Sequence, residues 1–471
     1  MSFAPRPVRQ PETTQQASSS SNGRTMTPAQ VLHEQGPAER SGSFEPLTSA
    51  TATSLLARPR AKHLGPAHIA TLGMLIIDEF IYLDSTTGSR ISKAEHLRKR
   101  GIKGPSDDDS QSSFEGADDD DDEQIGGGGV YFVIGARVWS RPQEILSILD
   151  VGPNFTPKMR NKLRSFDDGE GSSQSPQSMW VWRDRPEGTT RAANIYTGEK
   201  RGFEYLTPKR RLDPQDLSVA APGHCLPRWI HAICSPDRIV AIVQEARLLS
   251  RQQGQAHAPR IVWEPIPDSA RPENLDGLLD AAGMVDVLSP NHVEAHNFLN
   301  TSRQRSTPGY IADLDDPSLT LGEFKLQVER DGHDLLQLCA ASGSHAPLLV
   351  IRAGKHGSVG LNQGCEESVW CAPYHGEDKQ HEVVDVTGAG NAFLGGLTWS
   401  LAQIDEPNLD LAELRKMALG QALKHGAVSA SYVVEQRGMP RVTPAQHPED
   451  GSGLKWNHHL TNPSERFAAM Q

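Results

Sequence analysis

The chain opens without a hydrophobic pattern. Residues 1–65 are dominated by Ser, Thr, Gln, Pro and Ala, with few large apolar side chains. Such a stretch cannot bury enough surface to offset its ordering entropy, so a disordered N-terminal tail is expected. Patterned sequence begins near Ile69. The apolar run TLGMLIIDEFIYL (71–83) is broken only by Asp78 and Glu79 and predicts a strand ending in two acids. A polar stretch over 86–124 follows and predicts a disordered acidic insertion. In IGGGGVYFVIGARVW (125–139) four glycines lead into a helix-compatible run. Residues 179–206 alternate apolar and polar positions and predict the strands of a small lid sheet.

From 236 onward helix and strand patterns alternate. DRIVAIVQEARLLSRQ predicts a helix, RIVWEP (260–265) a short buried strand, and VDVLSP (285–290) another strand, with a helix starting near His292. PLLVIRAG (347–354) predicts a strand; 391–403 and 411–434 predict helices. The fold class that follows is α/β, a mostly parallel central sheet flanked by helices with a small β lid, over 66–447. That span is long enough for one large domain. Residues 448–471 are polar again and predict a C-terminal tail.

Charge changes this picture little. The net charge is −12, but ten acids lie in 107–123, a segment without Lys or Arg, and removing them leaves −2. The folded part is near neutral, which argues against nucleic-acid binding, a function that needs a basic face. The acidic run is a solvated loop or, in a sharper reading, a docking site for a protein partner. Five cysteines, odd in number and without CxxC spacing, argue against a disulfide framework and a zinc site. With no apolar leader and no long apolar run, neither a signal peptide nor a membrane span is expected, and the cytoplasm is the default compartment, the nucleus not excluded.

Candidate chemistry concentrates in VVDVTGAGNAFLGG (383–396). A strand ending at Asp385 is expected, then a turn through Gly388, Ala389 and Gly390 into a helix starting near Asn391. Small residues let backbone approach a ligand closely. The first N–H groups of a helix lack intrahelical partners and its dipole adds positive charge, so the turn could hold a phosphate. Taken alone, GAG is equally an ordinary glycine-rich turn.

In context the segment resembles the C-terminal signature of the PfkB, or ribokinase-like, carbohydrate kinases. TLGMLIIDEF resembles that family's first strand, where an acid five residues after a glycine binds substrate hydroxyls; Gly73 and Asp78 have that spacing. IGGGGVYFVIGAR resembles its substrate-facing GG helix start, which places Gly126, Gly127 and Tyr131 by the substrate. SPNHVEA (289–295) resembles its PNxxE element, implying Asn291 near the phosphates and Glu294 holding Mg²⁺ mainly through waters. VIRAGKHGSVG (350–360) resembles the strand and loop beside the nucleotide, with Arg352, Gly354 and Gly357; Asp385 joins that side. WEP (263–265) and SASYVVEQRGMP (429–440) resemble the fungal maintenance-of-killer subgroup. The resemblance implies a ribokinase-like fold over about 66–445, ATP and Mg²⁺ as cofactors, and a sugar-like or nucleoside-like small-molecule acceptor. No GxxxxGK[ST] and no strand-following GxGxxG occurs, so neither a P-loop nor a dinucleotide site is expected.

Two departures matter. The family's proton-abstracting Asp is Asn391 here, and an amide is no base at neutral pH. Tyr131 stands where an Asn that binds a sugar hydroxyl is common, which argues against ribose or a simple hexose. A slow kinase and a nucleotide-binding scaffold without turnover, a pseudokinase, both follow. Among lesser candidates, Asp78 with Glu79 could be paired carboxylates, Arg191 could reach an anionic substrate, and His356 lies in the nucleotide-side loop. Trp180 and Trp182, two apart, share one strand face and read as packing.

Overall fold

The computed structural model describes residues 68–99, 123–169, 178–197, 200–301, 309–342, 347–363, 367–404, 412–445, 453–457 and 461–470. They fall in one compact unit. The N-terminal tail 1–65 and residues 100–122 of the acidic insertion lie outside the described residues.

The strands are β1 (Ile69–Thr71), β2 (Ile76–Leu83), β3 (Arg90–Ile91), β4 (Glu123–Gly126), β5 (Ile145–Val151), β6 (Trp180–Asp184), β7 (Arg191–Thr197) and β8 (Lys200–Tyr205). They continue with β9 (Trp229–Cys234), β10 (Arg260–Pro265), β11 (Val287–Leu288), β12 (Leu348–Arg352), β13 (Ser358–Leu361), β14 (Val369–Cys371), β15 (Val442–Pro444) and β16 (Leu454–Trp456). Nine of them form the central sheet in the order β14-β13-β12-β11-β10-β9-β1-β5-β6. The pairs from β12 through β6 are parallel, and β13 and β14 close one edge antiparallel. Helices flank the sheet, among them Gly128–Arg137, Pro236–Gln252, His292–Leu299, Ala389–Ile404 and Ala412–Val434. The ribokinase-like α/β architecture expected from the sequence is the one observed.

Strand β10 shows why a sheet covered on both faces reads as an apolar run. Its last five residues are buried, and fully buried Trp263 satisfies its indole N–H on the Cys234 carbonyl at 3.0 Å. Layers come closest where glycine stands. A Cβ on Gly135 would lie 1.9 Å from the Ala392 carbonyl oxygen, and one on Gly395 2.0 Å from that of Phe132. The helices 128–137 and 389–404 therefore touch backbone to backbone.

The lid sheet runs β3-β2-β7-β8, with β4 also on β2. Several expectations change here. The run 71–83 is two strands in two sheets, because Gly73 meets the Gly129 backbone (2.5 Å from a Cβ at 73 to its Cα) and the chain turns out between β1 and β2. Of the strands expected in 179–206, β7 and β8 belong to the lid, but β6 pairs with β5 at the edge of the central sheet. The insertion is not disordered from 86 to 124. Asp84 Oδ1 accepts the Thr86 and Thr87 N–H groups at 2.9 and 2.7 Å, β3 returns onto β2, and a helix follows at Lys93–Lys99. At the far end β4 pairs with β2. No strand precedes Asp385; instead the Val384 and Asp385 N–H groups reach the Val434 carbonyl.

The C-terminal tail also folds. Leu454 and Trp456 of β16 turn inward, and a helix spans Pro463–Ala469. Asn462 and Glu465 close a reciprocal capping box with Pro463 in the first turn, a strong start signal even in polar sequence. Arg466 is buried, donating to Glu435 Oε1 at 2.6 Å and lying 3.9 Å from the Tyr432 ring. Cys234, Cys339 and Cys371 are buried and Cys225 is exposed.

Candidate active site

The parallel strands end at a common edge, where open α/β sheets place their ligands. Glu264 is the penultimate residue of β10 and Arg352 the last of β12. Asn291, just beyond β11, bridges to Arg352. Asn291 also caps the helix 292–299: its Oδ1 accepts the Glu294 N–H and Glu294 Oε2 accepts the Asn291 N–H, both at 2.8 Å. A carboxylate is thereby fixed at the helix N-terminus, where the dipole favours it.

Arg352 ties these pieces together. Its Nη1 donates to Glu264 Oε1 at 2.7 Å, its Nη2 donates to the Ser289 carbonyl at 3.0 Å, and Nη2 stands 3.5 Å from Glu294 Oε2. Burial drives the Glu294 carboxyl up to about 7; Arg352 opposes the shift and Glu264 adds to it. Glu264 behaves oppositely. Burial would raise it, but Arg352 and His231 outweigh burial and hold it below the usual carboxylate range.

The turn before the helix 389–404 is set by Asp385, whose Oδ1 accepts the Thr387 N–H at 2.9 Å, and by Gly388 at φ 81°. Only glycine fits there. A Cβ at 388 would lie 2.3 Å from Cγ of Tyr131, so the turn sits on the tyrosine ring. The Ala389 N–H is turned back onto the Val386 carbonyl at 3.2 Å. Asn391, in the first helical turn, donates from Nδ2 to Glu264 Oε2 at 2.6 Å.

On the other side Gly127, at φ 95°, passes under the Met74 carbonyl, 2.2 Å from where a Cβ would be. Gly126 leaves room for Asp78, since a Cβ at 126 would lie 1.8 Å from Asp78 Oδ2. Tyr131 is buried, and burial with the charges of Asp78 and Asp385 raises its phenol, keeping it neutral.

A cavity of ≈ 420 Å³ brings Asp78, Gly127, Tyr131, Gly388, Asn391 and Glu264 onto one wall system. Gly126, Ala389 and Gly390 lie directly beside it in sequence. Asn291, Arg352 and Glu294 do not line it; they stand behind Glu264. Gly354 and Gly357 lie in the turn between β12 and β13, both with positive φ, beside His356 packed on Phe324. Arg191 and Glu79 pair with each other, at 2.6 Å, in the lid and off the wall, so Glu79 is not a second carboxylate beside Asp78. Trp180 packs inward, its indole N–H on the Leu163 carbonyl at 2.8 Å.

Sequence reasoning missed Glu264 as a site residue, although it quoted WEP. An acid near the C-terminal end of a fully buried parallel strand was the available signal. It also missed Lys209, Arg211 and Arg238, which line the cavity from β8's exit and the helix 236–252.

Residues 229–445 match the family described as pfkB family carbohydrate kinase. The fold agrees with ribokinase from Giardia lamblia (TM-score 0.50, 18% identity, 79% of this chain and 94% of that one). It agrees equally with ribokinase from Cryptococcus neoformans var. grubii in complex with ADP (TM-score 0.50, 15% identity, 80% and 96%). An uncharacterized protein of Schizosaccharomyces pombe is 29% identical over 340 residues, covering 69% of this chain and 81% of that protein. Protein MAK32 of Saccharomyces cerevisiae is 26% identical over 266 residues, 54% of this chain and 64% of its own length, just under two thirds. Over residues 229–445, just under half of its length, the chain is thus similar to the pfkB carbohydrate-kinase family; it shares the fold of the ribokinases, and the relatives it matches include MAK32 of Saccharomyces cerevisiae.

Proposed function

We propose that the chain is an ATP- and Mg²⁺-dependent phosphotransferase of the carbohydrate-kinase type, acting on a hydroxyl of a sugar-like or nucleoside-like small molecule. The observation that carries this is a single cavity walled by Asp78 and by the Gly388–Asn391 turn at a helix start. In this reading Asp78, Gly126, Gly127 and Tyr131 shape the acceptor pocket. Gly388, Ala389, Gly390 and Asn391 receive the transferred phosphoryl group. Asn291, Arg352, Gly354, Gly357 and Asp385 form the nucleotide side.

Magnesium fits the donor set in one manner. Glu294 Oε2 is already occupied by the Asn291 N–H, so Glu294 would help hold the ion through waters, as Mg²⁺ in phosphate sites commonly retains them. Bound there, the ion would neutralise charge on the phosphates. Phosphoryl transfer depends mostly on positioning and charge stabilisation, so an amide at position 391 does not by itself forbid turnover.

Asn391 itself favours a second reading, a pseudokinase acting as a nucleotide-binding or scaffold protein. Residues 100–122 of the acidic insertion would then be the place for a protein partner. Among the described residues no helix is long and apolar enough to cross a membrane.

Calorimetry with Mg·ATP and the full chain tests the first reading without a known acceptor. Binding in the micromolar to low millimolar range is expected, and G390D should abolish it. A side chain there would enter the space of Arg352 Nη1, 2.4 Å from a Cβ at 390. No binding by the folded protein at several millimolar overturns the reading in favour of a scaffold.

A further inference from the structure

The carboxylate missing at position 391 stands directly across from it. Asn391 Nδ2 donates to Glu264 Oε2 at 2.6 Å, and both residues line the cavity. The amide orientation is fixed by this contact, because only its N–H side can face a carboxylate. Glu264 Oε1 is held by Arg352 at 2.7 Å, and Oε2, accepting one N–H, keeps a second lone pair.

A third group faces the same oxygen. His231 of β9 is fully buried, stacked on Phe132 at 4.1 Å between ring centroids. Thr71 Oγ1 accepts the Gly73 N–H at 2.9 Å, which leaves its own O–H for His231 Nδ1 at 3.0 Å. The tautomer with its hydrogen on Nε2 suits the carboxylate, since Nε2 stands 3.5 Å from Glu264 Oε2 and has no other hydrogen-bond partner among the described residues. Burial keeps this imidazole neutral. Glu264 is thus surrounded by donors from three elements, Arg352 on β12, His231 on β9 and Asn391 on the helix, with Glu294 the other acid in the cluster. Such an oriented, ionised carboxylate on a cavity wall is what abstraction of a hydroxyl proton requires.

We propose that Glu264 is the catalytic proton acceptor of the transfer, so that the Glu264–Asn391 pair holds its single carboxylate on β10 and its amide on the helix. This rests on the phosphotransferase reading above. In the step, the acceptor hydroxyl gives its proton to Glu264 Oε2 while its oxygen bonds to the γ-phosphorus of ATP. The bond from that phosphorus to the β–γ bridging oxygen breaks, and its electron pair leaves with ADP.

The test uses four full-length proteins: wild type, E264Q, N391D and E264Q/N391D. Three readouts are taken: Mg·ATP binding, transfer of labelled γ-phosphate to a panel of pentoses, hexoses and nucleosides, and unfolding temperature against pH. Binding should persist in all four. E264Q should transfer roughly 100- to 10,000-fold more slowly. N391D should also be slower than wild type, because two carboxylates this close must share a proton. That shared proton raises one folded-state pKa, so N391D should lose stability relative to wild type as pH rises through it. E264Q/N391D moves the carboxylate to the helix; it should recover at least about tenfold over E264Q and lose the pH effect.

Wild-type transfer by E264Q overturns the proposal alone, as does N391D outrunning wild type. A double variant no faster than E264Q also overturns it, reducing Glu264 to a holder of Arg352. Should E264Q fail to fold, E264D keeps charge opposite Arg352 while withdrawing the oxygen, and transfer at the wild-type rate again overturns the proposal. No transfer by any of the four proteins overturns the phosphotransferase reading, and this inference with it.

Discussion

The cavity's walls are built in two ways. On one, Glu264 and Asn391 line the cavity, backed by Arg352, Asn291 and Glu294, and the five are locked by hydrogen bonds of 2.6 to 2.8 Å and largely shielded from solvent. On another, Lys209 and Arg211 are exposed; Lys209 lies 4.1 Å over the Tyr205 ring, and Arg211 makes no ion pair or hydrogen bond among the described residues. The first wall is organised before any ligand arrives, as the proposed phosphoryl transfer would demand. The second has charge but no fixed partner, and its residues come from the segment that leaves the lid after β8. Chemistry and specificity are therefore built with different stiffness.

R352A strikes the stiff wall hardest. It leaves Glu264 and Glu294 buried without their cation, so a loss of about 3–5 kcal/mol is expected. Urea denaturation measures it, and a loss below about 1 kcal/mol would show that the network contributes little rigidity. Glu294 gives a milder signal. Its folded pKa, about 7, lies above its ordinary value, so its contribution is present at low pH and is lost as pH rises toward 7. Stability should fall by up to roughly 3 kcal/mol over that interval, and E294Q should flatten the slope. An unchanged slope in E294Q would assign the effect elsewhere. R211A on the loose wall should move stability by no more than about 0.5 kcal/mol, leave Mg·ATP binding intact, and change acceptor affinity alone. A fall of several degrees in unfolding temperature would make Arg211 structural and erase the contrast.

The sequence made some residues around the cavity far more legible than others. Asp78, the GG pair and the 388–391 turn announce themselves because their spacing is local: a glycine and an acid on one strand, or a turn into a helix. Glu264 gave no such signal, since its meaning comes from Arg352 and Asn391, which are distant in sequence and meet it only after the sheet forms. Polarity misled at both ends of the lid and at the C-terminus. Asp84 and the 462–465 capping box spend polar side chains on the backbone, so short elements form where composition suggested none. The break at Gly73 was equally hidden, because the glycine's reason for being there is another glycine, Gly129, in a different element.

The backbone contact between the helices 128–137 and 389–404 has a mechanical consequence. One begins at the cavity with Gly128 and Tyr131, the other just after the Gly388 turn with Asn391 in its first turn, and Gly135 and Gly395 leave no slack between them. They act as a single keystone, so the distance between Tyr131 and the Gly388 turn is built into the body of the domain. The lid leaves this body along β2, buried at Ile76 and half-buried at Leu83, and returns to it through β4, which runs into the helix 128–137. The domain resembles a jeweller's vice: one jaw is cut from the block, and the other is tied to it by more than one bar.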